Sequence, residues 1–233
     1  MKIYFRCTSK DETVSGVERW IDCVKDEIVL KCWSSLQLGA IPGQDTFVVI
    51  HDELHEGSLE WIKQIQTCST EYIEVEPHDI QDRAHTFKLL DVLEDKLSSS
   101  PDDEIHYIVE DDYLHTKEAL NTCRHVLGDK MWDHFVVPYD YPDRYTMDNN
   151  PCGLMVGPTC HWRTNPSATY TLMAQTHTWK EAMPIIREHA PHNFTEEAFK
   201  SFPCISPVPG VASHLTKYHM TPIVDWRAIW QNL

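Results

Sequence analysis

No stretch of this 233-residue chain is apolar and long enough to span a bilayer, and no apolar core follows Met1-Lys2-Ile3-Tyr4-Phe5-Arg6 to make a signal peptide. Neither GxxxxGK[ST] nor GxGxxG occurs, so a P-loop or a dinucleotide-binding Rossmann site has no support. None of the eight cysteines forms a CxxC pair, which argues against a zinc ribbon. Without secretion, the thiols are expected to stay reduced in a cytoplasmic compartment, and the sequon Asn193-Phe194-Thr195 is expected to be a chance match. Positive charge is scarce. Twenty Lys and Arg face 36 Asp and Glu, a net charge of -16, which argues against nucleic acid and against an anionic membrane surface as partners. A phosphate-bearing substrate would need a metal ion or a local group of basic residues to offset that charge. Hydrophobic content of 42% and charged content of 24% are ordinary for a soluble globular protein. No repeat, low-complexity tract or linker divides the chain, so one domain over 1–233 is expected.

What is present is an alternation of strand and helix patterns. Apolar runs at 3–5 and 47–50 read as buried parallel strands, with further strands expected at 71–75, 105–109, 135–137 and 168–173. Between them, three- and four-residue apolar spacing predicts helices over 17–39, from an N-cap at Ser58, over 87–97, and from Ala119 to Gly128. A further helix is marked by Trp179, Ala182, Met183 and Ile186. This order predicts an α/β fold, with a mostly parallel central sheet flanked by helices on both faces. Four prolines and Gly210 between 203 and 222 predict an ordered but irregular C-terminal segment.

The chain is organised around Glu104-Ile105-His106-Tyr107-Ile108-Val109-Glu110-Asp111-Asp112-Tyr113, an alternating strand that ends in three consecutive carboxylates. Adjacent negative charges repel, and hard oxygen ligands suit a divalent cation. In open α/β sheets, ligands bind at the carboxyl ends of the strands, where these acids fall. A solvated acidic turn is the alternative. His51-Asp52-Glu53-Leu54-His55 has the residues of a zincin motif in the wrong order, and His51 ends a strand rather than opening a helix. Asp52 is instead placed to accept from a bound base or a ribose hydroxyl, or simply to cap the next helix. Tyr139-Asp140-Tyr141-Pro142-Asp143-Arg144-Tyr145 sets three aromatic rings beside two acids after a strand end, which suits a sugar face and its hydroxyls or an aromatic turn packed on the domain. Trp162-Arg163, read as preceding a strand, offers an aromatic wall and a cation for a diphosphate, or merely packs. His214, in a proline-braced loop, is one of fourteen histidines and a candidate nitrogen ligand.

Taken in order, the segments YIVEDDYLH, VVPYDYPDRY, HWRTNPSATYT and SPVPGVASHL followed by TPIVDW resemble a group of virus-encoded and bacterial glycosyltransferases of the GT-A fold, and the similarity covers most of the chain. The resemblance implies a nucleotide-binding half at 1–115, and an acceptor-binding half with a C-terminal metal and lid segment at 116–233. It implies that Asp52 touches the nucleotide base, that Thr8 and its neighbouring backbone bracket the nucleoside, and that Glu110 and Asp111 lie near the ribose or the metal shell. Asp112 would be the direct metal ligand, completed by His214. The motif opens on Glu rather than Asp, which bears on the ribose contact and not on Asp112. The expected reaction moves a sugar from a nucleoside diphosphate, UDP favoured, to a hydroxyl of a glycan or another acceptor. A cation, Mn²⁺ or else Mg²⁺, would offset the leaving group's charge. If the anomeric centre inverts, Asp140 and Asp143 are the first candidates for the base and Glu181 a third. A sugar-phosphate nucleotidyltransferase is the second reading, although Cys7-Thr8-Ser9-Lys10 lacks the glycines of its usual loop. A non-catalytic glycan-binding module is the third.

Overall fold

The computed structural model describes residues 1–10, 18–76, 84–128, 131–145, 152–157, 159–190 and 194–233. The helix start expected at Val17 and Asn193 of the sequon lie outside them. The first half alternates: β1 (Lys2–Thr8), α1 (Lys25–Gly39), β2 (Thr46–Asp52), α2 (Glu56–Ile65), β3 (Ser69–Glu74), α3 (Ala84–Ser99) and β4 (Ile105–Glu110). Then come β5 (Tyr113–His115), α4 (Ala119–Gly128), β6 (Phe135–Val136), a 3-10 turn (Pro142–Tyr145), β7 (Leu154–Val156), β8 (His161–Asn165) and β9 (Leu172–Gln175). The chain closes with α5 (Thr176–His189), α6 (Phe194–Ser201), β10 (Cys204–Val208), β11 (Ala212–His214) and α7 (Trp226–Gln231).

Nine strands form one sheet in the order β3-β2-β1-β4-β9-β6-β10-β8-β7, and β5 pairs with β11 in a separate two-stranded sheet. The β3-β2-β1-β4 block is parallel throughout. Beyond β4 the sheet is mixed: β9 runs antiparallel to both β4 and β6, β10 runs parallel to β6, and β8 runs antiparallel to β10 and β7. The parallel half matches the continuous apolar runs, since a strand covered on both faces has no polar side. Right-handed crossovers place α1 and α2 on one face and send α3 across the other. The packing agrees, with α1 against α2 and α4, and α5 against α3 and α6. Trp33 joins the layers on the first face. Its ring meets Phe5 and Phe47 at 5.3 and 4.9 Å, and its indole N–H donates to Ile62 O at 3.2 Å. One contiguous hydrophobic cluster spans both halves, from Ile3 to Trp230.

Several elements differ from expectation. Residues 18–24 are not helical. Trp20 N donates to Leu215 O and Lys217 N donates to Glu18 O, so this backbone is satisfied by the C-terminal segment instead. Helix α2 starts at Glu56 after His55, and Ser58 is a buried first-turn residue rather than the cap. The strand expected at 168–173 is confined to Leu172–Gln175. Arg163 lies within β8, not before a strand. The proline-rich segment contains two strands, β10 and β11. Pro207 is tolerated in β10 because the parallel partner β6 reaches only Cys204 and Ile205, which leaves the edge beside Pro207 with no ladder bond to lose.

Candidate functional site

The ends of β1, β2 and β4 lie side by side. Register places Thr8 beside Asp52 and Arg6 beside both Ile50 and Glu110, so the backbone of Thr8, Asp52 and the acidic triplet converges on one edge of the parallel block. Beyond Glu110 the chain turns through Asp111 and Asp112 into β5. There the β5–β11 ladder sets His214 opposite Tyr113. That short ladder brings together groups separated by about a hundred residues of sequence.

Each acid of the triplet has its own cationic partner, and the three partners come from three different elements. Glu110 Oε1 accepts from Arg6 Nη2 on β1 at 3.1 Å. Burial pushes the Glu110 carboxyl up, the Arg6 charge works against this, and Asp112 adds to the rise. Asp111 accepts from Lys25 Nζ at 2.5 Å and from Thr8 N at 3.0 Å, which ties the start of α1 to the ends of β1 and β4. Burial alone would lower the Lys25 pKa, but the Asp111 charge more than reverses it and the net shift is upward. Asp112 Oδ2 accepts from His214 Nε2 at 2.9 Å. Burial acts to raise the Asp112 carboxyl, and the adjacent imidazolium overcomes it and holds the group well below the usual carboxylate range. His214 responds in kind: burial would lower it, the Asp112 charge raises it, and it ends above its ordinary value. Its ring lies nearly parallel to Tyr113, 6° apart with centroids at 4.9 Å.

Asp112 is the least enclosed of the pair, its side chain 34% exposed, and its second oxygen, Oδ1, has no hydrogen-bond partner. A buried carboxylate oxygen without a donor is costly, so it is a natural acceptor for a cation. The donor set here is one carboxylate and one imidazole. Among the described residues, no group of three or more His, Cys, Asp or Glu side chains is arranged to hold a metal ion. Two such ligands suit Mn²⁺ or Mg²⁺ when a substrate's phosphate oxygens complete the shell.

The aromatic turn packs behind this pair. The hydroxyls of Tyr113 and Tyr141 are hydrogen-bonded, and Tyr113 also meets Thr169 Oγ1 at 2.8 Å. Tyr141 faces His219 at 5.1 Å, and His219 in turn stacks on His214 at 5.8 Å. Asp143 lies in the 3-10 turn with its Oδ1 3.8 Å from Arg144 Nε, and its charge acts to raise the His219 pKa, which burial lowers. Asp140 is set differently from the open base expected of it. It is 1% exposed, and its carboxylate accepts from the Arg163 guanidinium and the Tyr145 hydroxyl. Burial raises its pKa, and Tyr145 and Arg163 oppose that rise. Arg163, expected against a diphosphate, is committed to Asp140 inside the second half of the sheet. Glu181 is exposed in the second turn of α5, and α5 begins beside Ile105, at the other end of β4 from the acids.

The sequence reading passed over Lys25, Arg6, Thr169 and Thr171, whose Oγ1 accepts from Glu110 N at 3.2 Å. Lys25 had a local signal. A lysine in the first helical turn faces the positive end of the helix dipole, so it needs a carboxylate from elsewhere. The two threonines had none, because they sit in a loop whose position depends on the fold.

No protein-family model and no curated protein matches the chain. Among solved structures, S. aureus TarS 1–349 aligns with a TM-score of 0.51 at 12% identity, over 88% of this chain and 57% of that one. S. aureus TarS aligns at 0.49 and 13% identity, over 88% and 34%. The galactosyltransferase LgtC, solved with donor and acceptor sugar analogs, aligns at 0.45 and 11%, over 87% and 65%. At such low identity the likeness shows the fold: an α/β architecture of the glycosyltransferase GT-A type. The chain spans only 57% of the TarS 1–349 structure. Among the described residues, no helix is long and apolar enough to cross a membrane.

Proposed function

We propose that this chain is a metal-dependent glycosyltransferase that moves a sugar from a nucleoside-diphosphate sugar, UDP favoured, to a hydroxyl on a glycan or another acceptor. One observation carries the reading. Asp112 and His214 meet at 2.9 Å at the carboxyl edge of a parallel α/β sheet, with Asp112 Oδ1 left unpartnered. A Mn²⁺ or Mg²⁺ ion held there would offset the charge that builds on the departing diphosphate.

The remaining roles belong to the chain's own groups. Asp52 and Thr8, adjacent at the ends of β2 and β1, would take the base and nucleoside. Glu110 and Asp111, tied to Arg6 and Lys25, would lie near the ribose or the metal shell and hold Asp112 in position. If the reaction inverts configuration, Asp140 and Asp143, the latter 3.8 Å from Arg144 Nε, are the candidate bases. Asp140 would first have to release both Arg163 and Tyr145, so it holds the turn in place.

The test is calorimetry with UDP, GDP and CMP, each with and without Mn²⁺. UDP binding that requires Mn²⁺ and is lost in both Asp112→Ala and His214→Ala is expected. Metal-independent glycan binding, untouched by those changes, would instead identify a binding module. Turnover of a nucleoside triphosphate with a sugar phosphate would identify a nucleotidyltransferase.

A further inference from the structure

A second polar site lies one layer away from the Asp112–His214 pair, in the mixed half of the sheet. Arg163 and Asn165 are two residues apart on β8 and so share a face, and Ser206 on β10 stands directly opposite Arg163 in the ladder. All three are buried, with exposures of 2%, 4% and 0%. Arg163 Nη2, Asn165 Oδ1 and Ser206 Oγ all lack hydrogen-bond partners. Arg144, from the 3-10 turn, reaches the loop that follows β8: it donates to Ser167 Oγ, and its Nε, 3.8 Å from Asp143 Oδ1, is buried without a hydrogen bond. A buried donor or acceptor without a hydrogen bond costs about 1–3 kcal/mol, so three such atoms on one face of adjacent strands, with a fourth on the turn beside them, call for an explanation.

Three of the four are donors, two of them guanidinium N–H groups, and the fourth belongs to an amide that can present either end. Such a set matches an oxyanion, whose lone pairs accept from several N–H and O–H groups at once. On the outer side, the Tyr145 ring lies over Arg163 at 5.1 Å and is 55% exposed. On the inner side, Tyr141, next to Asp140, leads through His219 to His214.

We propose that the face formed by Arg163, Asn165, Ser206 and Arg144 is a binding site for an oxyanion, a carboxylate or phosphate carried by the acceptor, with Tyr145 as its cover. The assignment to the acceptor rests on the transferase reading above. The oxyanion chemistry does not.

The probes are inorganic phosphate and acetate, followed by thermal unfolding of the full chain with the donor site saturated by UDP and Mn²⁺, and again without UDP. Wild type is expected to gain several degrees in midpoint with phosphate or acetate. Ser206→Ala and Arg144→Met are expected to lose that gain while keeping UDP affinity within twofold. Ser206→Ala removes only an unpartnered hydroxyl, so its folding is not in question. No anion-induced shift in wild type that still binds UDP would mean that buried water alone satisfies these groups, and would overturn the site. A shift of equal size in wild type and both variants would place the anion elsewhere and overturn it too. The transferase reading fails separately, through the absence of metal-dependent UDP binding, whatever the anion arm shows.

Discussion

The bracket that ties α1 to the acidic triplet gives a quantitative test of how this site is held. Lys25 and Asp111 are 13% and 10% exposed, 2.5 Å apart, and 86 residues apart in sequence. Removing one member of such a pair strands the other charge in a poorly solvated position, for which losses of about 3–5 kcal/mol are typical. Asp111 retains the Thr8 N–H, so Lys25→Met is expected at the lower end, about 3 kcal/mol. In a protein of this size that is a drop of roughly 6–12 °C in midpoint. Asp111→Asn keeps an acceptor for Thr8 but leaves the ammonium unpaired, and a similar loss follows. The double variant removes both charges, so neither is stranded. Its loss is expected to fall short of the sum of the singles by about 2 kcal/mol. Urea unfolding of the four proteins at pH 7.5 supplies the cycle, and hydrogen exchange in the first turn of α1 shows where the loosening occurs. If the single losses are under about 0.5 kcal/mol, as for an exposed pair, or if they simply add, the claim that this bracket fixes the site is wrong.

Two other outcomes follow from buried groups outside the site. His106, held between Tyr4 OH at 2.8 Å and Thr176 Oγ1 at 2.9 Å, is pushed down to about 4 by burial, and His115, against Tyr107 OH, to about 3. Both are neutral in the folded chain, while the unfolded chain protonates them near their ordinary value of about 6.5, so stability is full above that value and is lost as pH falls below it. Each should cost about 2 kcal/mol between pH 6.5 and 5, whereas His214, whose pKa is raised, contributes fully throughout that window. Urea midpoints that stay flat from pH 7 to 5 would contradict this. At Gly210, a Cβ would lie 2.6 Å from Thr221 Cγ2 and 2.8 Å from Asp140 N, so Gly210→Ala forces backbone apart. It should cost about 1–3 kcal/mol and weaken metal-dependent UDP binding by displacing β11, both readable by melting and calorimetry.

The parallel half of the fold was legible because its buried strands carry clear apolar patterns: an unbroken run from Phe47 to Ile50, and Ile105, Tyr107 and Val109 in alternation. The mixed half was not. β8 carries Arg163 and Asn165 inward, and its inward polar residues erase the pattern that marks a strand. β10 is hidden by Pro207, which is harmless only because β6 is two residues long, a fact about a neighbour and not about the segment, and β11 is only three residues long. The roles of single residues divide in the same way. The convergence of Asp52, Thr8 and the acids follows from strand ends in a parallel sheet. The burial of Asp140 against Arg163 follows from antiparallel pairing and from the return of the chain at Gly210, and neither leaves a trace at Asp140 itself.

The three ion pairs of the triplet also bear on how an acidic protein could bind a polyanion. Arg6 answers Glu110, Lys25 answers Asp111, and His214 answers Asp112, so the protein cations nearest the strand ends are already matched one to one. A diphosphate that arrived alone would meet a neutral cluster within a chain at -16, with no unmatched charge among these six groups to receive it. On the transferase reading proposed above, attraction would come from a cation that arrives with it. On that reading the triplet would accept one at a single point. Two of its acids are held fast by protein groups, and only Asp112, partly exposed and with an unpartnered oxygen, is left to turn outward. Had all three carboxylates been open, the site would hold a divalent ion without substrate. With one open carboxylate and one imidazole, protein alone offers too few ligands for tight binding of a hard cation, and phosphate oxygens are needed to complete the shell. Metal and nucleotide should therefore bind with strong mutual dependence, each poorly alone. That coupling separates this arrangement from a preformed metal cage that a nucleotide merely visits.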